Sequence, residues 1–468
     1  MPNSFENLEK DLFSDNKNGY EKITEETKKD LFSFCEGYKD FLNECKTERE
    51  CTLWIEKTAA AAGFKSFSEF ESLKPGDKFY VKNTDKSIFL AVMGKKPVTD
   101  GTNIIAAHID SPRLDAKPNP LFEDTGAAYL KTHYYGGIKK YQWLTIPLAI
   151  HGVVYKEDGQ KVDIVIGEKE SDPVFCISDL LPHLGQTQME KTASKFVEGE
   201  KLNVILGSMP FGDEKTNQKA KLSVMKILND MYGIKEQDFV RADIEIVPAF
   251  KAKDVGLDRS LIGAYGHDDR VCAYTAFMAL MTVDLPEKTV ICHLVDKEET
   301  GSSDSTGMQS TFLENMIARM CAKTIENYND ICLRDALENS ECLSSDVTAA
   351  YDPNYADVFE KNNSAYLNGG VALMKYSGAR GKSGTNEASA EFVTKVTDIF
   401  KKNDCVWQIA ELGKVDGGGG GTVAQFLAVL GISVIDCGVP VISMHAPYEV
   451  VSKLDVYMAY KAYKGFYI

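Results

Sequence analysis

Five groups able to bind a metal ion close or adjoin apolar runs of this chain. His108 follows Asn103-Ile104-Ile105-Ala106-Ala107, and Glu299 follows Thr289–Val295 through Asp296-Lys297-Glu298. Asp268 stands in His267-Asp268-Asp269-Arg270, Asp346 in Ser344-Ser345-Asp346, and His445 after Val439-Pro440-Val441-Ile442-Ser443-Met444. Imidazole and carboxylate are donors for a divalent cation. With seven histidines, no H-E-x-x-H pair and no cysteine cluster, a metal site here must be assembled from distant segments and lean on carboxylates.

Taken singly, each group is ordinary: a histidine ending a strand is more often a plain polar terminus, and Asp-Asp or Glu-Glu is usually solvated. Their shared position beside apolar segments points to one site. Charge supports two ions: four positive charges balance three carboxylates and one bridging hydroxide. Two cations about 3.5–4 Å apart need a bridge, which a short Asp provides through both oxygens. Asp268 is that bridge in this reading, with His108 and Asp346 completing one ion and Glu299 and His445 the other. Asp110 lies two positions beyond His108 and is placed to accept the other imidazole N–H. Glu298, beside Glu299, is placed to take a proton from the metal-bridging water, leaving the attacking hydroxide, and later to return it to a leaving amine. A surface carboxylate is the bland alternative.

The elements that must position these groups alternate. Residues 22–62 read as two helices, followed by strand-like segments Lys78–Lys82 and Ser87–Met93. Apolar runs at 103–107, 289–295 and 439–444 alternate with helical stretches Val271–Val283, Ser305–Ala322, Ser389–Lys402 and Thr422–Leu430. Such alternation predicts an α/β fold with a doubly wound mixed sheet, whose ligands bind beyond the strand carboxyl ends. Residues 113–255 differ, with short apolar runs at Trp143–Ile150, Val153–Tyr155 and Val162–Ile166 and a polar stretch at Gly199–Lys221. They read as a β-rich insert dividing a catalytic domain of residues 1–112 and 256–468.

At 468 residues, two or three units are the expectation. A formal charge of −16 argues against nucleic acid or an anionic membrane as partner. The polar start Met1-Pro2-Asn3-Ser4-Phe5-Glu6-Asn7 lacks the order of a secretory signal, and no apolar run is a membrane span. Eleven scattered cysteines, with no C-x-x-C, read as reduced thiols and point to a cytoplasmic protein.

Ala106-Ala107-His108-Ile109-Asp110-Ser111-Pro112-Arg113, Gly266-His267-Asp268-Asp269-Arg270, Asp296-Lys297-Glu298-Glu299-Thr300-Gly301-Ser302, Ser344-Ser345-Asp346 and Ser443-Met444-His445 together resemble the aspartyl aminopeptidase family of dizinc exopeptidases. The likeness extends to Tyr135-Gly136-Gly137 and Gly465-Phe466 and spans nearly the whole chain. The resemblance implies two zinc ions on the residues named above, with Glu298 serving catalysis, a dimerisation domain as the insert, and peptide substrates. It also implies a homo-oligomer, a tetrahedral dodecamer. A histidine from a neighbouring subunit assists the family's catalysis, and His183 is the candidate; Thr187 stands where animal members carry a second histidine. Lys375 matches the family's pocket lysine for acidic N-terminal residues, with Arg380 and Lys382 nearby. Cobalt or manganese also suits such ligands. The glycine run 417–421 is expected to let backbone approach substrate or metal.

Three rivals stand beside this reading. Gly381-Lys382-Ser383 has the look of a phosphate-binding loop, but Tyr376 occupies the position of its first glycine. A non-catalytic shell or cargo protein would not need all five ligands and Glu298. A deacylase of the same fold would share the metal chemistry and differ in amine recognition.

Overall fold

The computed structural model describes residues 4–13, 17–384 and 386–468; Met1, Pro2 and Asn3 of the polar start lie outside the described residues. Its centre is a nine-stranded mixed sheet. Four adjacent strands, Thr289–Val295, Thr102–His108, Glu341–Ser344 and Ser433–Gly438, run parallel. Their side chains are buried on both faces, as parallel strands covered by helices must be. Alternation divides them: Ile105 and Ala107 join the core under one helical layer, while Ile104 and Ala106 join the core under the other. The first layer contains helices Glu25–Glu44, Glu48–Ala61, His267–Leu280, Ala390–Lys402 and Lys453–Tyr467; the second contains Phe312–Thr324, Asp330–Glu338 and Ala424–Ala428.

The two helices expected over 22–62 form with good start signals. Thr24 caps the first through the Thr27 N–H, and a Thr47/Glu50 capping box starts the second. The stretch expected as a helix from Ser305 is helical only from Phe312. Residues 302–310 instead turn back: the Thr306 hydroxyl donates to Asp296 Oδ2 at 2.9 Å and the Gln309 N–H to the Ser302 carbonyl at 3.2 Å.

The run 439–444 also departs from expectation. The main-sheet strand ends at Gly438, and Pro440–Ile442 pairs in a separate five-stranded sheet with Glu449–Ser452 and Thr348–Ala349. A Cβ at Gly438 would collide with the Asp346 carbonyl, so this crossing between sheets needs glycine.

Residues 113–248 supply a six-stranded antiparallel sheet, from Arg113–Asp124 to Ala242–Pro248. It has its own apolar core around Trp143, Leu148, Ile244 and Ile246. An unforeseen helix, Lys219–Tyr232, starts at the end of the polar stretch Gly199–Lys221 and is ended by Gly233 in the left-handed region. All eleven cysteines are free, with Cys176 exposed. Among the described residues, no helix is long and apolar enough to cross a membrane.

Candidate metal centre

Three candidate ligands come from neighbouring parallel strands. His108 ends Thr102–His108, Glu299 lies in the turn after Thr289–Val295, and Asp346 lies two residues past Glu341–Ser344. The registers Val295 with His108 and Ser344 with Ala106 bring these carboxyl ends level. The other two come from the five-stranded sheet: Asp268 follows strand Leu261–Ala264, and His445 follows Pro440–Ile442. The centre therefore sits where two sheets meet.

Asp268 presents one oxygen to each imidazole. Its Oδ1 is 3.2 Å from His108 Nε2 and its Oδ2 is 3.2 Å from His445 Nε2. Asp346 Oδ1 is 3.9 Å from His108 Nε2, and Glu299 Oε2 is 3.7 Å from His445 Nε2. Ligand atoms of His108, Asp268 and Glu299 all lie within 4.8 Å of one another, as do those of His108, Asp269 and Asp346. Tetrahedral ligands about 2.0–2.1 Å from zinc stand about 3.3 Å apart, so the imidazole–Asp268 spacings fit such ions. Two buried oxygens, Glu299 Oε1 and Asp269 Oδ1, have no hydrogen-bond partner among the described residues, a cost that nearby cations would offset. The donor set fits zinc.

Electrostatics agree. Burial opposes charge on His445, yet the hydrogen bond with Asp268 and the nearby Glu299 carboxylate raise its pKa to about 11. His108 is raised likewise, against burial, by Asp110 and Asp268. Burial also pushes Asp346 and Glu299 well above the usual carboxylate range and raises Glu298, with neighbouring carboxylates adding to it. So many acids in one dry space call for positive charge between them.

The supporting contacts include residues that sequence reasoning missed. Buried Glu449 accepts the backbone N–H of Asp268 at 3.0 Å and that of His445 at 2.6 Å. Its only signal was a carboxylate opening the short apolar strand Glu449–Ser452. Asp269, also buried, accepts the His108 N–H at 3.3 Å. The fully buried Arg270 donates to the carbonyls of Gly266, Tyr265 and Cys45, pinning the start of the Asp268 helix. His267 is a structural anchor, held by Tyr38 and the Ile262 carbonyl and lowered to about 3 by burial.

Asp110 does sit beside His108, but its backbone carbonyl is the nearer acceptor of Nδ1–H, at 3.0 Å against 3.3 Å for Oδ1. The carboxylate also accepts the N–H groups of Glu298 and Glu299, each at 3.2 Å. Glu298 lines the cavity beside the ligands, with Oε2 3.9 Å from His108 Nε2. His183 lies elsewhere, exposed in a turn before helix Gln186–Met189 and away from its own chain's cavity.

The cavity measures about 1050 Å³. Lys375 does not line it; its Nζ lies 5.1 Å from the Tyr376 ring centroid. Arg380 and Lys382 do, as do Asp352 and Glu411. They project from a tight turn closed by reciprocal Ala379–Ser383 backbone hydrogen bonds of 3.2 and 2.8 Å. Among the described residues that turn is followed by no helix before Ala390, which is not the architecture of a phosphate-binding loop. Gly418, Gly419, Gly420 and Gly421 of the glycine run line the same cavity, yet their smallness serves loop packing. Cβ atoms at Gly418 and Gly419 would collide with the backbone of residues 412–413 and 378–379.

Comparison with known proteins is extensive. A family model described as Aminopeptidase I zinc metalloprotease (M18) matches residues 41–467. A probable M18 family aminopeptidase 1 of Clostridium acetobutylicum is 51% identical over 460 residues, covering 97% of this chain and 99% of the relative. The crystal structure of an M18 family aminopeptidase from Thermotoga maritima superposes with a TM-score of 0.93 at 45% identity, covering 97% of this chain and 99% of that one. The mApe1 dodecamer of Saccharomyces cerevisiae shares the fold, with a TM-score of 0.75 at 22% identity over 92% of this chain and 96% of that one.

Proposed function

The chain belongs to the M18 family of zinc metalloproteases and is a metal-dependent aminopeptidase, and on that premise we propose that Asp268 bridges two zinc ions. His108 and Asp346 would help hold one ion, and Glu299 and His445 the other. The observation that carries this is the pair of 3.2 Å approaches of Asp268 to the two imidazoles. Bound there, zinc supplies Lewis acidity for the scissile carbonyl and lowers the pKa of water.

Glu298 takes the proton of the attacking water and delivers it to the leaving amine. Asp110 holds His108 Nδ1 and the Glu298–Glu299 backbone together, so the base and a ligand move as one unit. Arg380 and Lys382 give the cavity cations for an acidic N-terminal side chain.

Residues 1–112 and 256–468 form the catalytic domain in this reading, and 113–255 a dimerisation and lid domain. Support comes from exposed Val165, Leu222, Ile227 and Met231 on the insert, an apolar surface suited to a homo-oligomer such as a tetrahedral dodecamer. Exposed His183 would then serve a neighbouring subunit's site. Free thiols support a cytoplasmic setting.

The test is Glu298→Gln. Retained metal with peptide hydrolysis reduced by about 10²–10⁴-fold supports the base; wild-type hydrolysis removes it. N-acetylated peptides serve as the control, because their cleavage would favour a deacylase.

A further inference from the structure

The turn Tyr135-Gly136-Gly137 belongs to the six-stranded sheet yet reaches both sides of the metal centre. Tyr135 ends strand Ala127–Tyr135, and its hydroxyl donates to Asp110 Oδ2 at 2.7 Å. That carboxylate in turn accepts the Glu298 and Glu299 N–H groups, and its Oδ1 lies 3.3 Å from His108 Nδ1, whose nearer acceptor is the carbonyl of the same Asp110 at 3.0 Å. Two residues later, the Gly137 carbonyl accepts His445 Nδ1–H at 2.9 Å. Each histidine thus gives its Nδ1 proton to an acceptor and turns Nε2 toward Asp268.

The turn is built for this closeness. Gly136 has a φ of 76°, and a Cβ there would lie 3.2 Å from Glu299 Oε2. A Cβ on Gly137 would lie 3.3 Å from His445 Nδ1. The Tyr135 ring is itself clamped, with the Arg113 guanidinium 4.0 Å and Lys297 Nζ 5.2 Å from its centroid. A rigid ring carrying one hydroxyl onto a buried carboxylate is a positioning device.

We propose that this turn positions the ligands of both ions, so that the seating of the six-stranded sheet on the main sheet sets metal affinity. The proposal rests on the two-ion reading of the site. Tyr135 and Gly137 touch no substrate in this scheme; they are positioning residues acting through Asp110 and His445.

The experiment uses the full chain, stripped by a chelator and titrated with Co(II), followed by visible absorption and calorimetry. Tyr135→Phe keeps the ring on Arg113 and Lys297 and removes only the hydroxyl. It is expected to weaken the His108-side ion by about 10–100-fold, lowering kcat more than KM. Gly137→Ala is expected to weaken the His445-side ion and alter its Co(II) spectrum, and it carries the test alone should Tyr135→Phe not fold. A merely structural role would lower the melting temperature of the metal-free protein and leave both dissociation constants unchanged. Wild-type constants in the folded variants overturn the proposal. Fewer than two equivalents bound by the wild-type chain would overturn the two-ion reading, and the proposal with it.

Discussion

Glu449 holds Asp268 from behind, its Oε2 on the Asp268 backbone N–H at 3.0 Å while Oε1 takes the His445 N–H at 2.6 Å. One buried carboxylate thus fixes the spacing between the residue that faces both imidazoles and one of those imidazoles. Glu449→Gln keeps the shape but turns one acceptor into a donor facing an N–H. Metal affinity is expected to fall by about 10–100-fold, the usual cost of disturbing a ligand's support. Titration of the stripped variant with zinc checks this, and an unchanged affinity would reduce Glu449 to packing.

Arg380 and Lys382 are the cations expected to select an acidic N-terminal residue. Charge-assisted hydrogen bonds of about 1.5–3 kcal/mol correspond to roughly 10–100-fold in rate. The double substitution to Gln should lower kcat/KM by that factor for peptides beginning with Asp or Glu. Peptides beginning with Ala or Leu should be affected little. An equal loss on both substrate classes would assign the two residues to loop structure instead.

His151 gives the protein a pH-dependent joint between the helix Glu48–Ala61 and the six-stranded sheet. Its Nδ1 is 2.7 Å from Glu50 Oε1 and its Nε2 is 3.1 Å from Glu168 Oε1. Both partners accept only, so both nitrogens donate and the ring is an imidazolium. Burial opposes this charge, but the bonds to Glu168 and Glu50 raise the pKa above the ordinary 6.5. A raised folded value contributes stability in full below about 6.5, and loses it as pH climbs through that folded value.

Glu168, drawn down to about 2 against its burial by His151, Lys46 and Lys251, contributes above its ordinary 4.5 and loses this as pH falls toward 2. Lys46, 2.7 Å from Glu168, is lowered to about 8 by burial and acts in the opposite sense above that pH. Lys251 also faces Glu168, at 2.5 Å. The informative quantity is therefore the stability difference between wild type and His151→Gln in urea. It should be largest between about pH 4.5 and 6.5 and shrink as pH rises further. A difference constant from pH 5 to 9 would contradict the assignment.

Much of the centre was legible because parallel strands have one readable grammar: an apolar run, then a polar residue at its carboxyl end. His108, Glu299 and Asp346 obey it within a single sheet. His445 was legible by the same rule although its strand belongs to a second sheet, a crossing made at Gly438 by contacts distant in sequence. Glu449 and Asp269 escaped notice because a buried acid cannot be told from a solvated one until its tertiary partners are placed. Tyr135 was visible as part of a motif, but its hydroxyl gains meaning only where the six-stranded sheet meets Asp110. The helix Lys219–Tyr232 went unread, lying almost wholly beyond the polar stretch Gly199–Lys221, since much of its surface is exposed and its apolar positions include exposed Ile227 and Met231.

Anomalous diffraction at the zinc edge, from crystals of the zinc-loaded wild-type chain, tests the central claim most directly. Two peaks about 3.5–4 Å apart, one on each oxygen of Asp268, are expected. Peaks should also adjoin His108 with Asp346 on one side and His445 with Glu299 on the other. A single peak, or two peaks that do not share Asp268, would contradict the account.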